Sequence, residues 1–236
     1  MRIDKDCWLL NKPIAHRGLW EGSIIENSLP AYELAVEKGF PIEIDLYSTK
    51  DGEIVCFHDN CLYRMTGEKG YIYEKTLSEL KSLSLKNTDQ KIPTLKEVLS
   101  IVSAKVPLLI ELKDQPDKSY ISHVVKILKN YKGEFAIQSF NPLYLIKTKK
   151  LAPNFVLGIL GTSTPPKDKN FIVKKIVKNL SLNFLIKPDF ISYNFEGLPI
   201  KNPRKLPLLA WTITDKEQAS TALKFANNII FEKFSP

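Results

Sequence analysis

The chain has 236 residues, of which 44% are hydrophobic and 25% charged, a balance that excludes an intrinsically disordered protein. This length allows one barrel of alternating strands and helices or two smaller domains. The formal net charge of +8 favours anionic partners. The lysines are spread along the chain, however, without the dense basic run of a nucleic-acid-binding arm, so we expect no nucleic-acid partner.

Cysteine content and hydropathy bear on the cellular compartment. The three cysteines, Cys7, Cys56 and Cys61, are too few and too irregular in spacing for a disulfide framework. The apolar stretch near the N-terminus is too short for the core of a signal peptide, and no run approaches the roughly 20 apolar residues of a membrane span. We therefore expect a cytoplasmic protein without stable membrane insertion. The sequence indicates no particular oligomeric state.

Short apolar runs rich in β-branched residues alternate along the chain with segments of helical period. This alternation favours parallel strands joined by crossover helices. The predicted strands are residues 14–16, 42–46, 54–57, 108–112, 135–140, 155–160, 190–193, 208–213 and 229–231. The predicted helices are residues 28–38, 77–83, 94–103, 119–130, 142–150, 170–179 and 215–225.

The nine predicted strands are one more than a (βα)8 barrel needs. Asp51-Gly52 between the second and third strands is a strong hairpin signal, so the third strand should fold back on the second. The other eight predict a near-minimal TIM-type (βα)8 barrel, a single domain over residues 1–236, whose last helix is missing or vestigial. We expect residues 60–93, after the hairpin, to form a small insertion at the catalytic end.

Two of the three histidines, His16 and His58, directly follow strand-like runs. In a barrel of this kind the active site is built at the C-terminal ends of the strands. One histidine at such a place is more often structural, but two at equivalent strand ends favour a function. The imidazole group is suited to general acid–base catalysis.

Acidic residues form a second pattern on the strands. Glu43 and Asp45 project from the same face of one strand because they are two residues apart. Two adjacent carboxylates inside a sheet repel each other unless a cation lies between them, although a solvated strand face would also explain the pattern. Glu111 ends another apolar strand and could supply a third carboxylate, with Lys113 on the same face and available to a phosphate.

Other motifs narrow the possible chemistry. Cys56 and Cys61 flank His58, but a second ligand pair at zinc spacing is missing. The sequence has neither a glycine-rich phosphate loop nor a GxSxG elbow. Trp211 ends an apolar run and could line a pocket, although an aromatic residue there is more often part of the core. The histidines, the carboxylates, Arg17 and Lys113 together suit metal-assisted cleavage of a phosphate ester.

The ordered set of motifs resembles the glycerophosphodiester phosphodiesterase family. The resemblance implies a TIM-type barrel with a small insertion after the second histidine, and hydrolysis of a glycerophosphodiester to glycerol 3-phosphate and an alcohol. The matching motifs, which together span most of the chain, are His16-Arg17-Gly18, Glu26-Asn27-Ser28, Glu43-Ile44-Asp45, Thr49-Lys50-Asp51-Gly52, His58-Asp59, Glu111-Leu112-Lys113, Gln138-Ser139-Phe140 and Trp211-Thr212.

The resemblance also implies a role for each matching residue. His16 and His58 would be the acid–base pair. A divalent cation, Ca²⁺ or Mg²⁺, would be held by Glu43, Asp45 and Glu111. The substrate-binding set would be Arg17 and Lys113 on the phosphate, Trp211 lining the pocket and Asn27 supporting the site.

A few positions depart from the usual family pattern. Ser28 replaces a common Thr, and Leu112 replaces a common Ile. Thr214 stands where Asn is common in the family. The family usually has Asp after Thr near the end of the last strand, whereas this chain has Glu232 after Phe231. Glu232 keeps the carboxylate with one more methylene, so no proposed catalytic or metal residue is lost.

Two alternatives remain open at this point. The first is the same cleavage of a lysophospholipid at a membrane surface, which an exposed apolar rim at Leu62, Tyr63, Tyr71 and Tyr73 would favour. The second is a non-catalytic anion-binding barrel. That alternative predicts loss of a catalytic histidine or a metal carboxylate, and this chain keeps them all.

Overall fold

A computed structural model describes residues 3–86, 88–165 and 171–236. Asn170, predicted as the first residue of a helix, and Asn87 in the insertion lie outside the described residues. The strands are β1 (Ile14–His16), β2 (Ile42–Ser48), β3 (Ile54–Cys56), β4 (Leu108–Leu112), β5 (Phe135–Ser139), β6 (Leu157–Gly161), β7 (Phe190–Asn194), β8 (Leu208–Ile213) and β9 (Asn228–Phe231). The helices are α1 (Trp8–Asn11), α2 (Leu29–Glu37), α3 (Tyr63–Thr66), α4 (Leu77–Ser82), α5 (Leu95–Val102), α6 (Tyr120–Leu128), α7 (Pro142–Leu151), α8 (Phe171–Asn179), α9 (Asn183–Ile186) and α10 (Lys216–Ala222).

Eight of these strands close into a parallel barrel. Their order is β1-β9-β8-β7-β6-β5-β4-β2, and a parallel pairing of β1 with β2 closes the ring. The remaining strand, β3, is antiparallel to β2 and lies beside its upper end. The predicted TIM-type barrel and the hairpin are therefore confirmed. The barrel places the C-terminal ends of all eight parallel strands at one rim.

Side chains alternate across the barrel wall. On β2, Ile42, Ile44 and Leu46 point outward into the apolar layer between barrel and helices. Glu43 and Asp45 therefore project into the barrel. Both faces of β2 are buried. The alternative explanation of its charged residues, a strand with one face in solvent, is therefore wrong.

Local sequence explains where the surrounding helices begin. The Ser28 hydroxyl caps α2 by accepting a hydrogen bond from the Ala31 amide, and Pro30 lies in the first turn. Thr94 and Glu97 form a reciprocal capping box at the start of α5. The four-residue helices α1, α3 and α9 were not predicted, because one turn is too short to show a helical period.

An apolar plug fills the end of the barrel opposite the rim. Trp8 and Leu9 of α1 pack against inward-facing residues such as Ile14, Leu109 and Phe190. This packing excludes water from the lower half of the barrel. The polar residues of the interior therefore lie in a layer between this floor and the rim.

The insertion at residues 60–93 has a small apolar cluster that it shares with β3. Leu62, Met65 and Ile72 are among its buried members. The insertion is also tied to the loop between β1 and α2, because Gln90 donates a hydrogen bond to Ser23 O (2.7 Å) and accepts one from the Ile25 amide (3.0 Å). It lies at the rim end of the barrel, as predicted.

The segment after β9 turns back along the rim. Residues 232–236 contain no helix. The Glu232 amide donates a hydrogen bond to Ile213 O at the end of β8 (2.9 Å), which fixes the Glu232 backbone beside the strand ends. Within the described part of the chain, no helix has both the length and the apolar character needed to cross a membrane.

Candidate active site

Three carboxylates meet inside the barrel just below the rim. Asp45 on β2 is in register with Glu111 on the neighbouring strand β4, and Glu43 lies one inward position lower on β2. One oxygen atom of each lies within 4.8 Å of the others. Glu43, Asp45 and Glu111 are only 2%, 0% and 8% exposed. The structure thus brings the three residues predicted as metal ligands into one buried cluster.

The three carboxylates differ in how strongly the surrounding charges favour their ionisation. Burial raises the pKa of Glu43 well above its ordinary value, and the negative charges of Asp45 and Glu111 raise it further. Burial also opposes ionisation of Asp45, but the positive charges of Lys113, His58, Arg17 and His16 outweigh it and hold the pKa of Asp45 below its ordinary value. A cation bound among the carboxylates would favour ionisation of Glu43, whose burial and acidic neighbours oppose it.

The donor set fits a hard divalent cation. Each ligand atom is an oxygen, the type that Ca²⁺ and Mg²⁺ prefer. The buried Asp45 Oδ1 has no hydrogen bond of good geometry among the described residues, and its one charged neighbour is the Lys113 ammonium group at 3.2 Å. In the described part of the chain this cluster is also the one group of three or more acidic, His or Cys residues with metal-compatible spacing. The set of Cys56, His58 and Cys61 does not form such a group.

Lys113 lies against the carboxylates. Its Nζ is 3.2 Å from Asp45 Oδ1 and 2.9 Å from Glu111 Oε1. Although burial alone would lower it, the two negative charges raise the pKa of Lys113 above its ordinary value. The ammonium group is therefore charged and offsets part of the negative charge of the cluster.

Arg17 joins β1 to the carboxylates on β2. Its Nη1 donates to Glu26 Oε1 (2.7 Å), its backbone amide donates to Glu43 Oε2 (3.2 Å), and its Nε lies 3.5 Å from Asp45 Oδ2. The next residue, Gly18, has φ +84°, and a Cβ there would lie 2.8 Å from the Ala31 backbone. A side chain at Gly18 would thus displace the turn that aims Arg17.

Asn27 lies behind Asp45 and is buried. Its Nδ2 donates to Asp45 Oδ2 (2.9 Å), and its Oδ1 accepts from the Tyr32 hydroxyl (2.7 Å). The Asn27 amide also donates to Arg17 O (3.0 Å). These contacts make Asn27 a support for Asp45 and for the Arg17 turn.

The two histidines have the same kind of partner. His16 Nδ1 lies 2.7 Å from Glu232 Oε2, and His58 Nδ1 lies 2.6 Å from Asp59 Oδ1. A carboxylate at Nδ1 holds a proton on that nitrogen and leaves Nε2 to accept or donate a proton. The sequence does not indicate a role for Glu232. In the structure its carboxylate is hydrogen-bonded to His16.

Burial and nearby charges shift the pKa values of both His16 and Glu232. Burial lowers the pKa of His16, the bond to Glu232 opposes this effect, and the positive charge of Arg17 adds to the lowering. For Glu232 burial opposes ionisation, but the bond to His16 together with the positive charges of His16, Lys233 and Arg17 lowers its pKa. Glu232 is therefore ionised at neutral pH and stabilises a positive charge on His16.

An ion-pair network behind the site was missed by sequence reasoning. Arg64 on α3 donates to both Glu26 and Asp59. Burial opposes ionisation of Glu26, but its bonds and charge interactions with Arg64 and Arg17 lower its pKa to about 2. Glu26 and Asp59 belong to recognisable motifs, whereas Arg64 resembles any surface arginine in the sequence.

The opposite wall of the barrel is neutral. Trp211 lies on β8, the strand across the barrel from β4, and its ring packs edge-on against Phe140 at 5.8 Å. Its Nε1 is buried and donates to no described acceptor. Nearby, Gln138 Oε1 accepts from the Ser192 hydroxyl (2.7 Å).

Two of the three tyrosines considered as an apolar rim are exposed. Tyr63 is 64% and Tyr71 is 41% exposed, and Tyr71 stacks on Tyr73 at 5.3 Å. Leu62 is buried beneath them. The apolar rim considered from the sequence therefore consists of tyrosines without Leu62.

Comparison with known proteins gives a consistent match. The sequence model of the glycerophosphoryl diester phosphodiesterase family matches residues 16–232. The chain is 32% identical to a glycerophosphodiester phosphodiesterase of Caldanaerobacter subterraneus, with 89% of each chain covered. It is 26% identical to one of Bacillus subtilis, over 94% of this chain and 83% of that protein.

A solved structure agrees with these sequence matches. It is a phosphodiesterase of Oleispira antarctica in complex with the product sn-glycerol-3-phosphate. The TM-score is 0.79 at 26% identity, and the alignment covers 94% of this chain and 93% of that one. The similarity thus extends over the whole barrel.

Proposed function

The chain belongs to the glycerophosphodiester phosphodiesterase family and is a phosphoric diester hydrolase, and we propose how its residues divide the work. His16 and His58 exchange protons with the substrate. Glu43, Asp45 and Glu111 hold a divalent cation, Ca²⁺ or Mg²⁺. Arg17 and Lys113 bind the phosphate, and Trp211 contacts the remainder of the substrate.

The observation that supports this division most directly is the paired arrangement around Asp45. Both histidines have a carboxylate on Nδ1, and both lie close enough to Asp45 to lower its pKa. The acid–base groups and the carboxylate cluster therefore share one site. Two such histidines are what cleavage of a P–O bond requires, because one proton must leave the attacking oxygen and another must reach the leaving alkoxide.

The phosphodiester brings one negative charge, and more charge develops in the transition state. A bound cation would withdraw electron density from the phosphoryl oxygens and stabilise that charge. Arg17 serves the same purpose from the chain itself, because its guanidinium is held by Glu26 with donors in fixed directions. Lys113 is charged, and its ammonium group would be free to contact the phosphate where a cation replaced it as the partner of Asp45 and Glu111.

The proton transfers fall to the two imidazoles. One histidine accepts the proton of the attacking oxygen at Nε2, and the other, protonated at Nε2, donates to the departing alcohol. Glu232 and Asp59 keep the Nδ1 atoms protonated throughout and stabilise each imidazolium while it exists.

A turnover assay tests this function. The panel comprises glycerophosphocholine, glycerophosphoethanolamine, glycerophosphoglycerol and a lysophosphatidylcholine, each with and without Ca²⁺ or Mg²⁺. We expect glycerol 3-phosphate to be released from at least one soluble diester in the presence of metal. Absence of turnover on every diester under every metal condition would contradict the proposal.

A lysophospholipid is the second candidate substrate. Tyr63 and Tyr71 favour it, because exposed tyrosines suit a lipid–water interface. Preference for the lysolipid in the same panel, with a rate that rises when it forms micelles, would favour this candidate. The non-catalytic barrel is set aside, since every histidine and carboxylate needed for hydrolysis is present and assembled.

We also propose that the chain acts as a single domain in the cytoplasm. The insertion shares its apolar cluster with β3 and is tied to the β1–α2 loop by Gln90, which supports one cooperative unit. Three free cysteines are typical of a reducing compartment. One unfolding transition and recovery in the cytoplasmic fraction are the expected results.

A further inference from the structure

The guanidinium of Arg64 bonds to two carboxylates at once. Nη1 and Nη2 donate to Glu26 Oε2 (3.0 Å) and Oε1 (2.7 Å) as a fork. Nε and Nη2 also donate to Asp59, the latter to Oδ1 at 3.1 Å. Four charge-assisted bonds use most of the donors that an arginine has. Arg64 lies on α3, which is part of the insertion and not of the barrel.

Each carboxylate has a second partner in the active site. Glu26 Oε1 also accepts from Arg17 Nη1 (2.7 Å), and Asp59 Oδ1 is also bonded to His58 Nδ1 (2.6 Å). A continuous chain of bonds therefore runs Arg17–Glu26–Arg64–Asp59–His58. It connects the group proposed to bind phosphate with one of the groups proposed to transfer protons.

This network differs from an ordinary surface ion pair. Glu37 and Lys38 make one contact at 3.3 Å, and both side chains are exposed, an arrangement that contributes little to stability. Glu26, by contrast, is only 5% exposed. Loss of Arg64 would leave Glu26 with one cation and Asp59 with His58 alone, and would leave both carboxylates free to turn.

We propose that Arg64 is a positioning residue through which the insertion completes the active site, fixing His58 through Asp59 and Arg17 through Glu26. The proposal rests on the function proposed above. This role would make the insertion part of the catalytic machinery. Among the described residues, Arg64 is the hydrogen-bond partner of Glu26 Oε2 and of Asp59 Oδ2, and the barrel strands supply no other. The proposal also predicts that one substitution outside the barrel impairs both substrate binding and proton transfer.

The insertion has anchors that do not involve Arg64. Leu62 and Met65 are buried in its apolar cluster, and Gln90 bonds to Ser23 and Ile25. Arg64→Ala is therefore expected to fold cooperatively, with a melting temperature lowered only by the loss of its ion pairs with Glu26 and Asp59. Loss of activity in a folded variant would then reflect positioning.

The test compares kcat and KM on the soluble diester that the wild type hydrolyses fastest. Arg64→Ala should lower kcat by roughly 10²-fold, as expected for a misplaced reacting group, and should also raise KM. Asp59→Asn should mainly lower kcat, and Glu26→Gln should mainly raise KM. Arg64→Lys should recover only part of the loss, because an ammonium group cannot form two forks. Arg204→Ala, an exposed arginine bonded to Asn183 O at 3.4 Å, is the matched control and should behave as the wild type.

Two further measurements separate positioning from simple anchoring. Added guanidinium ions should restore part of the activity of Arg64→Ala, whereas the same concentration of sodium chloride should not. In the double variant with Asp59→Asn, the loss in kcat should be smaller than the product of the two single losses, because both changes act on His58.

These measurements can contradict the role of Arg64 without contradicting the proposed hydrolase function. A wild type inactive on every diester contradicts the proposed function. An active wild type with a fully active Arg64→Ala overturns the role of Arg64 alone. The role of Arg64 is also overturned if Arg64→Ala is inactive because it is largely unfolded and guanidinium restores no activity. Arg64 would then be a structural anchor.

Discussion

The two halves of the barrel rim differ sharply in charge. The half formed by β9, β1, β2 and β4 presents His16, three carboxylates and Lys113, with Glu232 directly after β9, and the hairpin strand β3 leads to His58. The half formed by β5 to β8 presents neutral inward residues at its upper end, among them Gln138, Ser192, Asn194 and Trp211. Both halves have the same backbone architecture, so the difference lies entirely in the side chains.

This asymmetry gives a diester a direction in the site. In the proposed mechanism, Arg17, Lys113 and a cation held by Glu43, Asp45 and Glu111 would attract the phosphate to the charged half. The uncharged glycerol portion can then contact the neutral half without displacing a charge from its partner. A chemical division of this kind predicts that changes in the charged half lower kcat and changes in the neutral half mainly alter KM.

Replacement of either catalytic histidine tests the charged half most severely. His16→Ala and His58→Ala should each lower kcat by roughly 10²-fold or more, because an acid–base group is lost. His123 on the outer helix α6 is exposed, so His123→Ala is the control and should be unaffected. Near-normal kcat in His16→Ala or His58→Ala would remove that residue from the mechanism.

Glu232→Gln should have a smaller effect of the same kind. The amide can still accept a bond from His16 Nδ1, but it lacks the negative charge that stabilises the imidazolium, so we expect kcat to fall roughly 10-fold or more with little change in KM. Steady-state kinetics measure both values. Glu217→Gln, at an exposed position in α10, is the control. A change confined to KM would show that Glu232 acts on the substrate and not on His16.

Trp211→Ala tests the neutral half. Removal of the ring, which packs on Phe140, should raise KM by roughly 5- to 100-fold, since about 1–3 kcal/mol of apolar contact with the substrate is lost, while kcat changes less. Trp211→Phe should keep most of the contact and lie close to the wild type. A fall in kcat as large as that of the histidine variants would contradict the division between the halves.

The pH dependence of stability offers the mildest test of the charged half. The folded-state pKa of Glu26 is about 2, below its ordinary 4.5, so its ionic bonds stabilise the fold above about pH 4.5. That contribution is lost as the pH falls from 4.5 toward 2. The difference in free energy of unfolding between wild type and Glu26→Gln should therefore shrink over this range. A difference that stays constant from pH 5 to pH 2 would contradict it.

Much of the fold follows from patterns that are local in the sequence. Each strand was predicted from an apolar run of β-branched residues, and Asp51-Gly52 correctly identified the hairpin that removes β3 from the barrel. The carboxylate cluster could also be anticipated, because Glu43 and Asp45 share a strand face and β4 brings Glu111 into register with Asp45.

The contacts that hold the site together are long-range and could not be anticipated in this way. His16 and Glu232 are 216 residues apart, and they meet only because β1 and β9 are neighbours in the closed barrel. Arg64 reaches Glu26 across 38 residues through the fold of the insertion. The contacts of Lys113 with Asp45 and Glu111 likewise depend on charges that only the folded barrel brings together.

We propose that the charged half hydrolyses a glycerophosphodiester with the help of a cation on Glu43, Asp45 and Glu111. The most direct test measures turnover of one diester by the same wild-type sample before chelation, after removal of metal with EDTA, and after addition of Ca²⁺ or Mg²⁺. We predict that activity is lost on chelation and returns with one of these cations, and that Glu111→Gln regains far less at the same concentration. Full activity in the verified metal-free enzyme would contradict the account.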